Sequence, residues 1–233
     1  MKNRLIVFLI SLLVLLLGAC NQVDNSSENE NKTTSVKTED IDQSSENEET
    51  TDEAENSEEP GAVEEGLNFQ EFRPEVGSKK TFTSDGEVIF TEEIISANDE
   101  YVQTLFQLGD NLTTEIYRWT KDEVTLLSSE SNSENPRQDQ LPNFTPLEQL
   151  ETFMANDANK QTTWKLLSVD GTEEVPAGTF QDVLMIQKST NEVVDEETTL
   201  TRYYAPKVGL IKEIYTQSGE NGFTATSVLE KVE

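Results

Sequence analysis

From about residue 67 onward, apolar and polar residues alternate along the chain with a period of two. This alternation is typical of β-strands with one buried face, because successive side chains point to opposite faces of a sheet. The clearest hairpin signal is Asp85-Gly86, which separates the alternating residues 80–83 from residues 88–90. The pattern therefore predicts a β-rich domain over 67–233.

The later segments extend this pattern into an antiparallel meander. Strands are predicted at residues 101–108, 112–120, 124–128, 163–169, 183–188, 198–204, 210–215 and 223–230. We expect a mainly β fold of about nine or ten strands, arranged as one curved antiparallel sheet that forms a half-barrel or an open barrel.

One segment carries a helix signal instead. Thr145 can cap a helix, Pro146 suits its first position, and Glu148 completes a capping box. Apolar residues then recur at helical spacing at Leu147, Leu150 and Met154. The sequence predicts one short helix near 146–154.

Three polar stretches predict connections between these elements. Residues 131–144 are polar and contain two prolines, so we expect an exposed loop there. Asp170-Gly171-Thr172-Glu173 has the composition of a turn, and so has Pro176-Ala177-Gly178.

The N-terminus has a different pattern. Lys2 and Arg4 precede a run of thirteen mostly apolar residues, 5–17, which would make a helix of about 20 Å. A bilayer core about 30 Å thick calls for about 20 apolar residues, so the run fits a signal peptide over 1–19 better than a membrane span. An uncleaved short anchor is the alternative.

The residues after this run are Leu17-Gly18-Ala19-Cys20, and Cys20 is the single cysteine of the chain. This arrangement resembles the lipobox of bacterial lipoproteins. The resemblance implies that Cys20 receives a diacylglyceryl group and that a peptidase cleaves between Ala19 and Cys20. It further implies attachment to the extracytoplasmic face of the cell membrane through the acyl chains, since two or more chains give stable anchoring.

Residues 20–66 form the predicted tether. From 21 to 66 the chain has 16 acidic residues against Lys32 and Lys37, and it has no Phe, Trp or Tyr. Such a segment buries too little apolar surface to offset the entropy of ordering, so we expect it to be disordered. A charged ligand-binding tail is the alternative. The tether, with Asn21 after the cysteine, favours a Gram-positive-type envelope without excluding a Gram-negative one.

Charge and composition exclude several classes of function. The formal net charge is −29, so binding of nucleic acid through a basic surface is not expected. The chain has no histidine, which excludes histidine-dependent triads and histidine-ligated zinc. Lipidation of Cys20 would also leave no free thiol. No stretch has the calcium-loop pattern, so we expect no metal and no cofactor.

Acidic pairs are frequent but lack a catalytic context. Asp122-Glu123, Glu173-Glu174 and Asp195-Glu196-Glu197 are interpreted as solvated turns, while Trp119 and Trp164 are expected in the core. The sequence favours a non-catalytic binding domain whose concave face takes an envelope protein, a lipid or a wall component. A carboxylate-based hydrolase of envelope glycans is the alternative.

Two stretches resemble a pattern in uncharacterised exported bacterial proteins and lipoproteins. They are residues 175–180, Val-Pro-Ala-Gly-Thr-Phe, and residues 203–212, which contain Tyr-Tyr-Ala-Pro-Lys-Val-Gly-Leu. In that pattern a glycine commonly occupies the position of Lys207. The resemblance implies a curved antiparallel β fold similar to periplasmic lipoprotein-carrier domains, and it transfers no catalytic residue. On a strand, Tyr203 and Tyr204 face opposite sides, so one is expected in the core and the other outside.

Replacing the lipobox cysteine tests the predicted anchor. In the Cys20→Ala variant we expect no incorporation of labelled fatty acid and no processing before this residue, because the thiol is the acceptor of the lipid. Labelling with a radioactive or clickable fatty acid, with mass determination of the N-terminus, measures both. Lipid label that persists in the variant would overturn the lipoprotein assignment.

Overall fold

The computed structural model describes residues 67–146, 149–157, 159–160, 162–193, 196–219 and 222–233, the side chains of 192 and 193 excepted. These residues belong to the β domain. The predicted signal peptide (1–19), Cys20 and the tether (20–66) lie outside the described residues.

The described chain contains eleven strands and two short 3₁₀ turns. The turns are Phe69–Phe72 and Leu141–Asn143. The strands are β1 (Lys79–Ser84), β2 (Glu87–Ala97), β3 (Tyr101–Leu108), β4 (Asn111–Trp119), β5 (Glu123–Ser131), β6 (Glu151–Ala155), β7 (Trp164–Val175), β8 (Gly178–Val193), β9 (Glu196–Ala205), β10 (Gly209–Gln217) and β11 (Phe223–Val232).

All eleven strands belong to one sheet, in the order β6-β5-β4-β3-β2-β1-β11-β10-β9-β8-β7. Each neighbouring pair is antiparallel, and β1 pairs with β11, so the first and last strands lie side by side. The sheet curves into a nearly closed, barrel-like arrangement. The predicted mainly β fold with a curved antiparallel sheet is confirmed, with eleven strands in place of nine or ten.

The two ends of this sheet meet without a backbone ladder. Strand direction reverses at each step of the order, so the two end strands, β6 and β7, point the same way. Two parallel neighbouring strands need a crossover connection that carries the chain from the end of the first strand back to the start of the second. In the described residues β6 and β7 contact each other, but they form no ladder of hydrogen bonds. We call this junction the seam.

The hairpin predicted at Asp85-Gly86 is present. Asp85 has a φ of 52° and Gly86 a φ of 80°, and β1 and β2 pair directly on either side of them. Two consecutive residues with positive φ twist the turn in the sense that matches the twist of the strands. Asp and Gly tolerate this conformation better than most residues, which is why the dipeptide is an informative signal.

The short helix predicted near 146–154 is wrong. Glu151–Ala155 is strand β6, in which Thr152, Phe153 and Met154 are buried and Thr152 and Met154 pair with β5, while Leu150 is exposed. An isolated nine-residue helix is marginal in water, so its capping signals contribute little free energy. Pairing with β5 satisfies the backbone of this segment and buries its apolar side chains.

The turn predicted at Asp170-Gly171-Thr172-Glu173 is also wrong, because these residues lie inside β7. The pairing of β7 with β8 shifts register on both sides of Gly171, which is the behaviour of a β-bulge. A Cβ at Gly171 would lie 3.2 Å from the carbonyl oxygen of Val183, so a glycine suits this close approach. The polar, glycine-containing signal marks a bulge here and not a turn.

The main core lies inside the curved sheet, where the first 3₁₀ turn inserts. Phe69 and Phe72 are buried, and the indole Nε1 of Trp119 donates to the carbonyl oxygen of Phe69 over 2.7 Å. These residues pack in one cluster, whose buried members are Phe69, Phe72, Ile94, Val102, Trp119, Val124, Leu126, Phe153, Met154, Trp164, Leu184, Ile186 and Tyr204. The core location predicted for Trp119 and Trp164 is confirmed.

The loop between β5 and β6 lies against the outside of the sheet. As predicted, it is mostly irregular and exposed, but Leu141 is buried and the second 3₁₀ turn contacts β3. The side chain of Gln103 on β3 is fully buried and bonds the carbonyl of Gln138 and the amide of Gln140. These bonds satisfy a buried amide that would otherwise lose its hydration.

A buried lysine ties three parts of the sheet together. Lys80 on β1 is only 1 % exposed. Its ammonium group lies 3.0 Å from a carboxylate oxygen of Glu92, 3.0 Å from the carbonyl of Val208 and 3.4 Å from that of Leu210. Gly209, with a φ of 75°, lets the turn approach, since its Cβ would lie 3.4 Å from this nitrogen. Three acceptors replace the water that the ammonium loses.

Replacing Lys80 tests this tie. In Lys80→Ala, Glu92 keeps a largely buried charge without its partner, so we expect the free energy of unfolding to fall by about 3–5 kcal/mol. Denaturant-induced unfolding measures the loss. The control is Lys231→Ala, which breaks a 3.0 Å ion pair with Glu233 in which both side chains are more than half exposed. That change should stay within about 0.5 kcal/mol of the parent. Equal losses in the two variants would contradict the role of Lys80.

Candidate functional site

The inner face of the sheet carries a group of polar and ionisable side chains. β2 provides Glu92, β4 provides Glu115 and Tyr117, β9 provides Arg202 and Tyr204, and β10 provides Glu213. We call these six residues the interior polar cluster. Glu115 and Arg202 interact electrostatically although five strands separate β4 from β9 in the sheet, so they face each other across the interior.

Arg202 has the most contacts in the cluster. Its Nε donates to Glu213 over 2.7 Å, and its guanidinium carbon lies 5.3 Å from the ring centre of Phe153 and 5.0 Å from that of Trp164. Both distances are within the range of a cation–π contact. Burial opposes the charge, but Glu213 and the nearby tyrosines outweigh it and raise the pKa of Arg202 above its ordinary value. Arg202 is therefore a fixed positive charge.

Glu115 is held by hydroxyl groups and not by a close cation. Its carboxyl group accepts hydrogen bonds from the hydroxyl of Tyr117 and, at 3.5 Å, from Ser129. Burial raises the pKa of Glu115, and the negative charge of Glu92 acts in the same direction, against the hydrogen bonds and Arg202. Desolvation dominates because, among the described residues, no opposite charge compensates the carboxylate at close range.

The hydroxyl groups of the two tyrosines in the cluster have raised pKa values. Burial raises the pKa of Tyr204 to about 12, despite the opposing effect of Arg202. Burial and the neighbouring Glu115 raise the pKa of Tyr117 well above its ordinary value. Both hydroxyl groups therefore remain hydrogen-bond donors at any physiological pH.

The cluster borders a space that solvent reaches. The side chains of Glu92, Arg202 and Glu213 are 15 %, 23 % and 19 % exposed, although they face the inside of the sheet. The core residues beneath them, including Trp119 and Tyr204, are buried. The inner face is thus apolar around the inserted 3₁₀ turn and polar at the cluster, whose side chains are partly exposed. We call the space that the cluster borders the interior recess.

The residues of the Tyr-Tyr-Ala-Pro stretch behave as their positions indicate. Tyr204 is 7 % exposed and points inward, while Tyr203 lies outside in contact with Lys212, 5.0 Å from its ring centre. The predicted division of the two tyrosines is confirmed. Lys207 adopts a φ of 63°, so the turn keeps its left-handed conformation with a lysine at the position where the resembled pattern has glycine.

The described residues of the acidic runs that the sequence singled out are not part of the cluster. Their interpretation as solvated turns is wrong at Glu123, at Glu173-Glu174 and at Glu196-Glu197, because these residues lie in β5, β7 and β9. Glu173 bonds Lys212 over 2.7 Å, and Glu123 bonds Arg118 over 3.0 Å, so both belong to ion pairs away from the recess. Sequence reasoning missed Glu115, Arg202 and Glu213, which are far apart in the chain. The signal that could have found them is a charged residue at an inward position of an alternating strand, and that signal requires the register to be known.

The described part of the chain offers neither a metal site nor a helical membrane span. No group of three or more acidic or cysteine side chains is arranged there to hold a metal ion. No helix among the described residues is long and apolar enough to cross a membrane.

The fold and this site define a β-barrel-like domain made of one antiparallel sheet, whose inner face carries an apolar core and a polar cluster. No protein-family model matches the chain, and no curated protein matches it significantly. Two crystal structures are similar to it. One, from Bacteroides fragilis, is a provisionally described exported protein with a YmcC-like fold, 11 % identical, with a TM-score of 0.40 over 72 % of this chain and 99 % of that one. The other, from Parabacteroides distasonis, is a provisionally described lipoprotein, 14 % identical, with a TM-score of 0.41 over 72 % and 100 %. These values are too low to transfer a function.

The raised pKa of Glu115 predicts a pH-dependent effect of its replacement. A pKa that is higher in the folded chain means that protonation favours folding. This contribution is complete below the ordinary glutamate value of 4.5 and is lost as the pH rises through the raised value. At neutral pH, Glu115→Gln should therefore increase the free energy of unfolding, and the gain should disappear at about pH 3.

Denaturant unfolding of Glu115→Gln at the two pH values measures this difference. The exposed Glu130→Gln serves as the control and should leave stability unchanged at both. A variant that is less stable than the parent at neutral pH would contradict the assigned cause.

Proposed function

We propose that this chain is a membrane-anchored extracytoplasmic lipoprotein whose β domain is a non-catalytic binding module, with the interior recess as its ligand site. The anchor is the acyl-modified Cys20, and the tether over 20–66 separates the domain from the membrane. The partner is an envelope protein, a lipid or a wall component.

The observation that supports this most is the interior polar cluster itself. Three carboxylates, an arginine and two tyrosines stand where apolar residues would complete the core. Burying such groups costs free energy, and replacing buried ion pairs by apolar residues is often neutral or stabilising. The carboxyl group of Glu115, which has no cation at close range among the described residues, lies in this partly exposed cluster, and that combination fits a binding role.

The chemistry of the recess suits recognition of a polar group beside an apolar one. Arg202 and the hydroxyl of Tyr204 offer donors, and the carboxylates of Glu92 and Glu213 offer acceptors. Phe106, which pairs with Glu92 across β2 and β3, continues the inner face with Phe90, whose ring centre is 4.7 Å away. A ligand with both polar and apolar parts is complementary to this surface.

The carboxylate-based hydrolase remains a second candidate because of Glu115. A carboxyl group with a raised pKa, influenced by a second acid, Glu92, is the arrangement that a general acid requires. The two functions differ in turnover. If the domain is a hydrolase, Glu115→Gln together with Glu92→Gln should abolish release of soluble fragments from purified envelope glycans, and unchanged release removes this candidate.

Site-directed photocrosslinking tests the binding function. A photoreactive phenylalanine analogue at position 106 projects into the recess, whereas the same analogue at position 107 projects from the outer face of β3. In cells that carry the anchored protein, we expect a defined crosslinked species from position 106 and not from position 107. Mass spectrometry of that species identifies the ligand class.

A second variant connects the crosslink with the cluster. Arg202→Leu removes the fixed positive charge, and we expect it to reduce the crosslinked yield at position 106 about tenfold or more, as loss of a desolvated polar contact does. Equal yields at 106 and 107, or a yield that Arg202→Leu does not change, would refute the recess as the binding site.

A further inference from the structure

The seam between β6 and β7 is closed by side chains that converge on one carboxylate. Oε1 of Glu151, the first residue of β6, accepts bonds from Lys188 Nζ at 2.7 Å, from Trp164 Nε1 at 3.0 Å and from Thr163 Oγ1 at 3.5 Å. Thr162 adds a bond from its hydroxyl to the carbonyl of Thr152 over 2.6 Å. Glu151 thereby connects β6 with both β7 and β8.

β6 is the most weakly attached strand of the described sheet. It is the shortest of the eleven, and it pairs with β5 alone, over four residue pairs interrupted by a register shift between Val124 and Thr125. Short edge strands with few backbone bonds open locally at lower free energy than the centre of a sheet. The contacts of Glu151 therefore carry much of the closure.

Two members of the interior polar cluster, Arg202 and Tyr117, lie directly behind the seam. Phe153 on β6 and Trp164 on β7 have ring centres 5.4 Å apart, and Arg202 of the cluster stacks on both rings. Phe153 also contacts Tyr117, with 6.0 Å between the ring centres. Movement of β6 away from β7 would separate the two rings and increase the exposure of Arg202, whose guanidinium group stacks on them.

We infer that the seam is the entrance to the interior recess and that Glu151 is its latch. This inference rests on the proposed function, since it supplies the route by which a ligand reaches the recess. A single partly exposed carboxylate is suited to the task, because it stabilises the closed state without locking it. The ladder-bonded remainder of the sheet stays closed while β6 moves.

Tryptophan fluorescence tests the latch without any ligand. The chain has two tryptophans, Trp164 at the seam and Trp119 beside the inserted 3₁₀ turn. In the full chain with Trp119→Phe, we expect Glu151→Ala to raise the acrylamide quenching constant of Trp164 about twofold or more, because its cover opens in local fluctuations. In the full chain with Trp164→Phe, Glu151→Ala should leave the acrylamide quenching constant of Trp119 unchanged.

A matched ion pair provides the control. Glu173 and Lys212 are 2.7 Å apart and 20 % exposed on both sides, close to the values of 2.7 Å, 17 % and 20 % for Glu151 and Lys188. Glu173→Ala removes the same kind of bond away from β6, so it should leave Trp164 quenching unchanged. An equal increase in Glu173→Ala, an equal increase for Trp119, or no increase in Glu151→Ala would each overturn the latch.

Hydrogen exchange keeps the test valid if a tryptophan variant fails to fold. With both tryptophans present, Glu151→Ala should speed amide exchange in 151–155 and at the start of β7, and leave β1 and β11 protected as in the parent. Uniformly faster exchange would indicate general loosening and contradict the latch. The quenching and exchange experiments use no ligand, so they test the latch separately from the binding function. If they support the latch but position 106 gives no crosslinked species, only the binding function is refuted.

Discussion

Backbone hydrogen bonding sets the constraint on which the rest of this structure depends. An antiparallel sheet closes on itself only with an even number of strands, and this sheet has eleven in its described residues. Its last junction therefore brings two parallel edges together, and side chains close it in place of a ladder. Glu151, Phe153 and Trp164 perform that closure. The most weakly attached strand of the sheet thus lies beside Arg202 and Tyr117 of the interior polar cluster, and the proposed binding function rests on that juxtaposition.

Two charged groups of the domain, Lys80 and Glu115, differ in how their surroundings compensate the charge. Lys80 is surrounded by one carboxylate and two carbonyl oxygens, and it joins β1 to β2 and to the turn before β10. Glu115 has only hydroxyl donors at close range, and its carboxyl pKa is raised. A fully compensated charge stabilises the fold. A desolvated carboxyl group without a close counter-ion costs stability.

Local chemistry accounts for what was predictable from the residues. The Asp85-Gly86 hairpin, the meander of β3 to β5 and the opposite faces of Tyr203 and Tyr204 depend on turn conformation and on alternation, and all are present. Prediction failed at 146–154 and at Asp170-Gly171-Thr172-Glu173, where distant pairing partners outweigh local preference. The capping residues near 146 stabilise a short helix less than pairing with β5 stabilises strand β6. A glycine in the sequence is compatible with a turn or with a bulge, and only the pairing with β8 shows which one forms.

The sequence by itself predicted the class of fold and provided the composition that argues against nucleic-acid binding and histidine-based catalysis. It also provided the resemblance to a lipobox at Cys20, which stays a prediction. These depend on periodicity and composition, which need no knowledge of neighbours in space. Only the tertiary structure decided the site, because Glu92, Glu115, Arg202 and Glu213 come from strands distributed over more than a hundred residues. Their proximity depends on strand order and register, and on a sheet that curves until its inner faces oppose each other.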